Sequence, residues 1–406
     1  MRGRIVWLLF VVVVGLSSQL VAEGKMNLSE IVLEKQDSLI ESPVILEENL
    51  EDNIEQGEII KVDVNPDKSL KDKIHDVFNL QVSDNEHIEY LFDNILNKKF
   101  ERGPLANIGI WGLWRGGLKE SFSNGNNHTN VHYDVLESRL HGTFSNHKTS
   151  FVITTRYAPQ KEFKFMQNLF SDVFIRHRFS EKAVLTIGNT RTHTGEEGSW
   201  SELLIPFYTR AQISNQFGNI RKLGVRLSGE TKYMDYDIAG NTSGTYFTSF
   251  FPGAEFCGWV NFKPLANTNG KYGVLKIGGG LTAGRRHFNY NNLGAYVSYR
   301  YKKFMVDFEC ANGDGYNGRL GASKTHARGY YTTLYYDIHK KLQLVARYDS
   351  FTPDCHDSHH QTREYSAGCN YFIKGQALKL MLNYVFREDS IAGNSHRIIV
   401  GTQVVL

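Results

Sequence analysis

Leu378-Lys379-Leu380-Met381-Leu382-Asn383-Tyr384-Val385-Phe386-Arg387 is the stretch on which the fold turns. Leu378, Leu380, Leu382, Tyr384 and Phe386 form one unbroken apolar and aromatic set. Lys379, Met381, Asn383, Val385 and Arg387 form a mixed set between them. A period of two places the sets on opposite faces of a β-strand, whereas a helix would scatter both around its axis. The same alternation recurs on either side. Leu342, Leu344, Ala346 and Tyr348 interleave with Gln343, Val345, Arg347 and Asp349, and Ile398, Val400, Thr402, Val404 and Leu406 interleave with Arg397, Ile399, Gly401, Gln403 and Val405. Further back, Leu223, Val225 and Leu227 alternate with Lys222, Gly224, Arg226 and Ser228, and Phe151, Ile153, Thr155 and Tyr157 with Val152, Thr154 and Arg156.

The period holds from Ile108 to the C-terminus. Seventeen strand-like runs can be marked, among them 182–190, 204–215 and 219–229. A soluble sandwich would give the same alternation. Three further features point to a membrane. Many runs begin or end in aromatics (Tyr157, Phe179, Tyr301, Tyr348, Tyr384, Phe386), tight turns such as 179–181 and 339–341 alternate with long polar loops such as 188–204, 241–253, 312–328 and 351–362, and an export signal precedes them. Single-chain bacterial barrels take even strand numbers, so an all-β transmembrane antiparallel barrel of 16 strands is expected. A barrel of that size leaves an aqueous channel.

The beginning of the chain is different. Arg2 and Arg4 precede an apolar run from Ile5 to Leu16 and a small-residue exit ending at Ala22, the pattern of a cleaved signal over 1–22. That run is short for a helical span, and no later stretch approaches ~20 consecutive apolar residues. Hydrophobic residues make up 41% of the 406, which excludes a polytopic helical membrane protein. From Glu23 to Glu101 there are 20 acidic and 8 basic residues, a net charge of −12; from Arg102 onward 36 basic face 23 acidic residues, a net charge of +13. An acidic arm over 23–104, mostly unfolded with a helix near 86–98, therefore precedes a basic body over 105–406. The arm reads as a periplasmic or oligomerising segment, or as a plug entering the pore.

If the apolar set faces lipid, the charged members of the other set face the bore: Arg139, Arg156, Arg176, Arg178, Arg226, Lys276, Arg300, Arg347, Lys379, Arg387 and Arg397, with the acids Glu137, Asp172, Asp307, Glu309 and Asp349. Fixed positive charge between low-dielectric walls concentrates anions, and arginine's planar fork suits oxyanions. Each of these side chains could equally be solvated and paired with one of those acids. The segment from Gly188 to Glu202 has loop composition yet carries Arg191, His193 and Trp200. It could fold inward as a constriction or remain an ordinary outer loop.

The successions Leu185 to Thr192, Leu204 to Ala211 and Lys222 to Gly229, with Gly294 to Tyr301, Leu342 to Asp349 and Tyr365 to Phe372 followed by Lys379 to Tyr384, resemble the phosphate-selective porin O and P family in order and spacing. The resemblance covers about 108–406. It implies a sixteen-stranded outer-membrane barrel, usually a homotrimer, passing small anions such as phosphate or polyphosphate. Arg191, Arg210, Arg226 and Arg347 are the basic residues inside the matched stretches. With the inward set they give the expected anion-contacting residues Arg156, Arg191, Arg210, Arg226, Arg300, Arg347, Lys379 and Arg387. No cofactor, metal or nucleic-acid partner is expected.

Competing chemistries are weaker. Gly313-Asp314-Gly315-Tyr316-Asn317-Gly318 satisfies G-x-G-x-x-G, but no apolar helix follows, so a glycine-rich turn accounts for it better. Cys355-His356-Asp357-Ser358-His359-His360 could chelate a transition metal, though a solvated loop suffices. Ser199, His193 and Glu196 lie close enough in sequence to suggest a barrel hydrolase, and an adhesive surface barrel is a third reading. Of the four cysteines, Cys310 and Cys355 lie near loops and could pair.

Overall fold

The computed structural model describes residues 97–123, 126–157, 169–244, 251–268, 270–357 and 360–405. The signal segment, nearly all of the arm and most of its expected helix lie outside them; the last two residues of that helix, Asn97 and Lys98, are in a strand instead. The strands are β1 (Asn97–Lys99), β2 (Leu105–Ser123), β3 (Asn126–Phe144), β4 (Thr149–Tyr157), β5 (Phe170–Ser180), β6 (Ala183–Arg191), β7 (Arg221–Glu230), β8 (Met234–Thr242) and β9 (Ala254–Phe262). They continue as β10 (Val274–Arg286), β11 (Phe288–Tyr301), β12 (Phe304–Gly318), β13 (Gly321–His339), β14 (Leu342–Thr352), β15 (Thr362–Lys374), β16 (Leu378–Asp389) and β17 (Ser395–Val405).

Each strand from β2 to β17 pairs antiparallel with its sequence neighbours, and β17 returns to pair with β2 from Ser395 opposite Ser123 to Val405 opposite Leu113. The result is a closed barrel of 16 strands. β1 continues the same edge of β2 beyond the end of β17, with Asn97 opposite Gly109 and Lys99 opposite Asn107. Both described ends of the chain thus share one seam.

Of the seventeen expected runs, 204–215 is not a strand. It belongs to the connection between β6 and β7, which holds two short helices, α1 (Glu196–Ser199) and α2 (Gln212–Gln216). Its apolar run Leu203, Leu204, Ile205 and Phe207 is buried because it lies against the inner wall, not because it spans lipid. The loop expected over 312–328 is also replaced: β12 and β13 run on to Gly318 and from Gly321, with a register shift between Asp314 and Tyr316. Gly318 is required there, since a Cβ would come within 1.9 Å of the Gln216 carbonyl oxygen on α2. The glycine motif therefore serves a close backbone approach.

Facing follows the alternation. Ile175, Ile187, Val225, Leu227, Leu293, Leu334, Leu344 and Leu382 are exposed on the outside, while Lys222, Arg347 and Lys379 point inward on the same strands, as do Glu137 and Arg139 on β3 and Asp307 on β12. Exposed rings crowd the terminal end (Phe179, Tyr233, Phe262, Tyr272, Tyr301, Phe304, Tyr336, Tyr371). Nearer the far end the rings of Tyr330, Tyr348, Tyr365 and Phe386 follow one another at 5.1–6.0 Å across four strands. Aromatic belts at both limits of an apolar band are the boundary marks of a lipid-facing barrel. Leu334 lies between Tyr330 and Tyr336 on β13, within that band. Leu334→Arg should cost about 2–4 kcal/mol of folding stability in bilayers or micelles, read from urea unfolding, because the charge faces hydrocarbon.

Candidate functional site

The decisive element is the connection over 192–220. It enters the barrel and is fastened to the inner wall by its own main chain. Arg115 of β2 donates to the carbonyl oxygens of Glu202 and Phe207, each at 2.9 Å. Lys379 of β16 donates to those of Leu203 at 3.1 Å and Ile205 at 3.4 Å, and Asn370 of β15 to that of Pro206 at 2.9 Å. In the other direction, the amides of Glu196 and Glu197 donate to the Glu309 carboxylate on β12 (2.9 and 3.2 Å), that of Gln212 to Asp349 on β14 (2.7 Å), and that of Tyr208 to Asn383 on β16 (2.7 Å). Gly401 of β17 leaves room for the Tyr208 ring, which would lie 2.4 Å from a Cβ there. A buried loop needs such partners, because backbone polar groups without them are costly.

Beside this loop lies one connected set of seven arginines and three carboxylates. Glu202 on the loop has Arg210 at 3.5 Å, Arg156 of β4 at 3.6 Å, Arg115 of β2 and Arg191 of β6 at 3.8 Å, and Arg319 of the β12–β13 turn at 4.0 Å. Arg156 also meets Glu137 at 3.5 Å, Arg221 of β7 bridges Glu137 and Asp172, and Arg139 of β3 meets Asp172 at 3.5 Å. Among the described residues, these seven guanidinium groups share the three carboxylates. Burial alone would raise the Glu202 pKa, but Arg210, Arg156, Arg191 and Arg319 hold it well below the usual carboxylate range.

The eight expected anion-contacting residues divide accordingly. Arg156, Arg191 and Arg210 join this set. Arg210 is also internal to the loop, donating to the carbonyl oxygens of Glu197 and of Trp200, the latter at 2.6 Å. Arg347 and Lys379 are loop clamps. Arg347 pairs with the buried Glu197, donates to Thr333 at 3.0 Å and lies over the rings of Phe207 and Tyr331. Arg226 pairs with Asp237, Arg300 with Asp337 at 3.3 Å, and Arg387 with Glu364 and Asp389, all away from the arginine set. Sequence reasoning missed Arg115, Arg221 and Arg319, and above all Glu202. Parity with Trp111 and Leu113 was the signal for Arg115; nothing local marks the others.

Lys276 lies 3.5 Å from both Glu196 and Asp235. His193 stacks on Trp259 with centroids 5.4 Å apart and bonds Asp237 and Glu196 through its two ring nitrogens. Burial disfavours its imidazolium, yet these two carboxylates raise its pKa to about 9. Ser199 donates instead to the Glu196 carbonyl oxygen at 2.7 Å, so serine, histidine and acid are not arranged as a nucleophilic triad. Among the described residues no group of three metal-ligating side chains comes together; Ser358 and His359 lie outside them. All four cysteines are unpaired, and Cys310 sits within β12 opposite Ala295 and Tyr330, so the Cys310–Cys355 bridge that the loops allowed does not form.

The barrel is similar to several solved structures, each under 25% identical and so comparable in fold alone. The anion-selective porin from Comamonas acidovorans is 11% identical, with a TM-score of 0.57 over 74% of this chain and 99% of that one. Salmonella typhi OmpF in complex with daunomycin is 10% identical, with a TM-score of 0.56 over 74% and 98%. OmpT of Vibrio cholerae is 8% identical, with a TM-score of 0.50 over 76% and 100%. No curated protein matches the chain by sequence. The family model described as phosphate-selective porin O and P matches residues 265–405, which contain β10 to β17. The chain is an outer-membrane β-barrel of porin architecture whose C-terminal eight strands carry the sequence pattern of the phosphate-selective porin O and P family.

Proposed function

We propose that the protein is a passive, anion-preferring diffusion channel of the outer membrane, suited to small oxyanions such as phosphate or polyphosphate and assembled as a homotrimer. The reading includes a cleaved signal over 1–22 and an acidic periplasmic arm over 23–104. The observation that carries it is the convergence of seven arginines on Glu137, Asp172 and Glu202 beside the inserted loop. Fixed charge in a confined wet space acts on every passing ion, since low-dielectric walls focus its field. Guanidinium forks suit tetrahedral oxyanions, yet remain exchangeable when already shared with carboxylates.

In a planar bilayer under a salt gradient, the full-length protein should show a reversal potential displaced towards the equilibrium potential of chloride. Displacement towards that of potassium would overturn the anion preference. The absence of conductance from folded protein would overturn the channel itself.

A further inference from the structure

We infer that Glu202 is a resident counter-anion, a carboxylate carried by the loop into the arginine set that limits how tightly any passing oxyanion is held there. The inference rests on the channel reading above and assigns its specificity-determining residue.

Five guanidinium groups from five separate parts of the chain converge on this one carboxylate: β2, β4, β6, the loop itself and the β12–β13 turn. All five stand at 3.5–4.0 Å, beyond the 2.7–2.9 Å of a direct charge-assisted hydrogen bond. Glu202 Oε1 is buried with no hydrogen-bond partner. A carboxylate serving only to brace the loop would be bound directly by at least one fork, as Glu197 is by Arg347, Ser214 and the amide of Ala211. Glu202 is instead held by the combined field of its neighbours, in the position that a small anion would otherwise take.

Its place on the chain supports this. The carbonyl oxygen of Glu202 is fixed by Arg115, and the main chain that follows is tied to Lys379 and Asn370, so the side chain is delivered to one point by a rigid backbone. Arg319 comes from the other side of the barrel: its amide donates to the Gly218 carbonyl oxygen at 3.2 Å, and its side chain is the most exposed of the five. An anion arriving in the bore meets guanidinium groups already partly neutralised. It is attracted without being trapped, which is what continuous passage requires.

The test is the block of chloride current by added inorganic phosphate, measured on full-length protein in planar bilayers. Glu202→Gln keeps size and shape and removes one negative charge. The phosphate concentration giving half-block should fall about fivefold or more relative to wild type, with chloride selectivity increased. An unchanged or higher half-blocking concentration, in a wild-type background that does prefer chloride, overturns the inference and leaves the channel reading standing. A wild-type protein that prefers cations overturns that reading first. Should Glu202→Gln not assemble, Arg319→Gln in the exposed turn shifts the same balance the other way. Half-block should then require about threefold more phosphate, and a fall or no change overturns the inference equally.

Discussion

Arg156→Glu combined with Arg191→Glu should abolish the preference for chloride, bringing the reversal potential under a salt gradient to zero or to the potassium side. Each reversal changes the local charge by two, so the pair makes the cluster more negative by four where Arg156 and Arg191 meet Glu137 and Glu202. Both side chains are about one-tenth exposed, close enough to the bore to act on permeant ions yet shielded enough that screening is weak. Arg300→Glu, a reversal remote from the set and next to Asp337 at the terminal end, provides the comparison. Its effect should be several-fold smaller, because that site is about one-third exposed and already balanced. Equal effects of the remote and the central reversals would mean that overall charge, not this cluster, governs selectivity.

Arg347→Met should release the inserted loop. Glu197 is fully buried and depends on Arg347 for its charge balance; its remaining bonds come from the amide of Ala211 and the hydroxyl of Ser214, at 2.7 and 2.8 Å. Leaving a buried carboxylate without its cation costs about 3–5 kcal/mol. That cost falls on the docking of the loop, since the barrel is held by its own continuous ladder of strands. Trypsin should then cleave folded protein at Arg210, which is buried while the loop is docked, and single-channel current should become noisy. The double variant Arg347→Met with Glu197→Gln should recover most of the protease resistance, because a neutral pair removes the stranded charge. If the single variant resists trypsin as the wild type does, the clamp is not Arg347.

Strand number, facing and closure were legible in the sequence because a barrel wall imposes one rule on every residue: apolar towards lipid, mixed towards water. Leu344 and Arg347, or Leu382 and Lys379, could be assigned to their sides from alternation alone. The same rule misled at 204–215. Leu204, Ile205 and Phe207 are apolar because they press against the inner wall, and a loop buried inside a barrel imitates a strand in composition. Alternation also gives the side a residue faces but not its depth or its neighbours. Arg156 and Arg300 looked equivalent, although one meets Glu202 and the other Asp337. Glu202 was invisible as a site residue because its partners come from 115 to 319, and such convergence exists only once the barrel has closed.

The shared edge of β2 has a bearing on biogenesis. The partner that covers 113–123 is made more than 250 residues after them, and only the short patch at 107–109 is matched by residues already synthesised. Until the last hairpin emerges, the earliest long strand presents open hydrogen-bonding groups, a template for wrong pairing between chains. Such a polypeptide cannot mature piecemeal from its beginning. Its closure waits on the last strand, and until then that edge must be shielded from other copies of the chain.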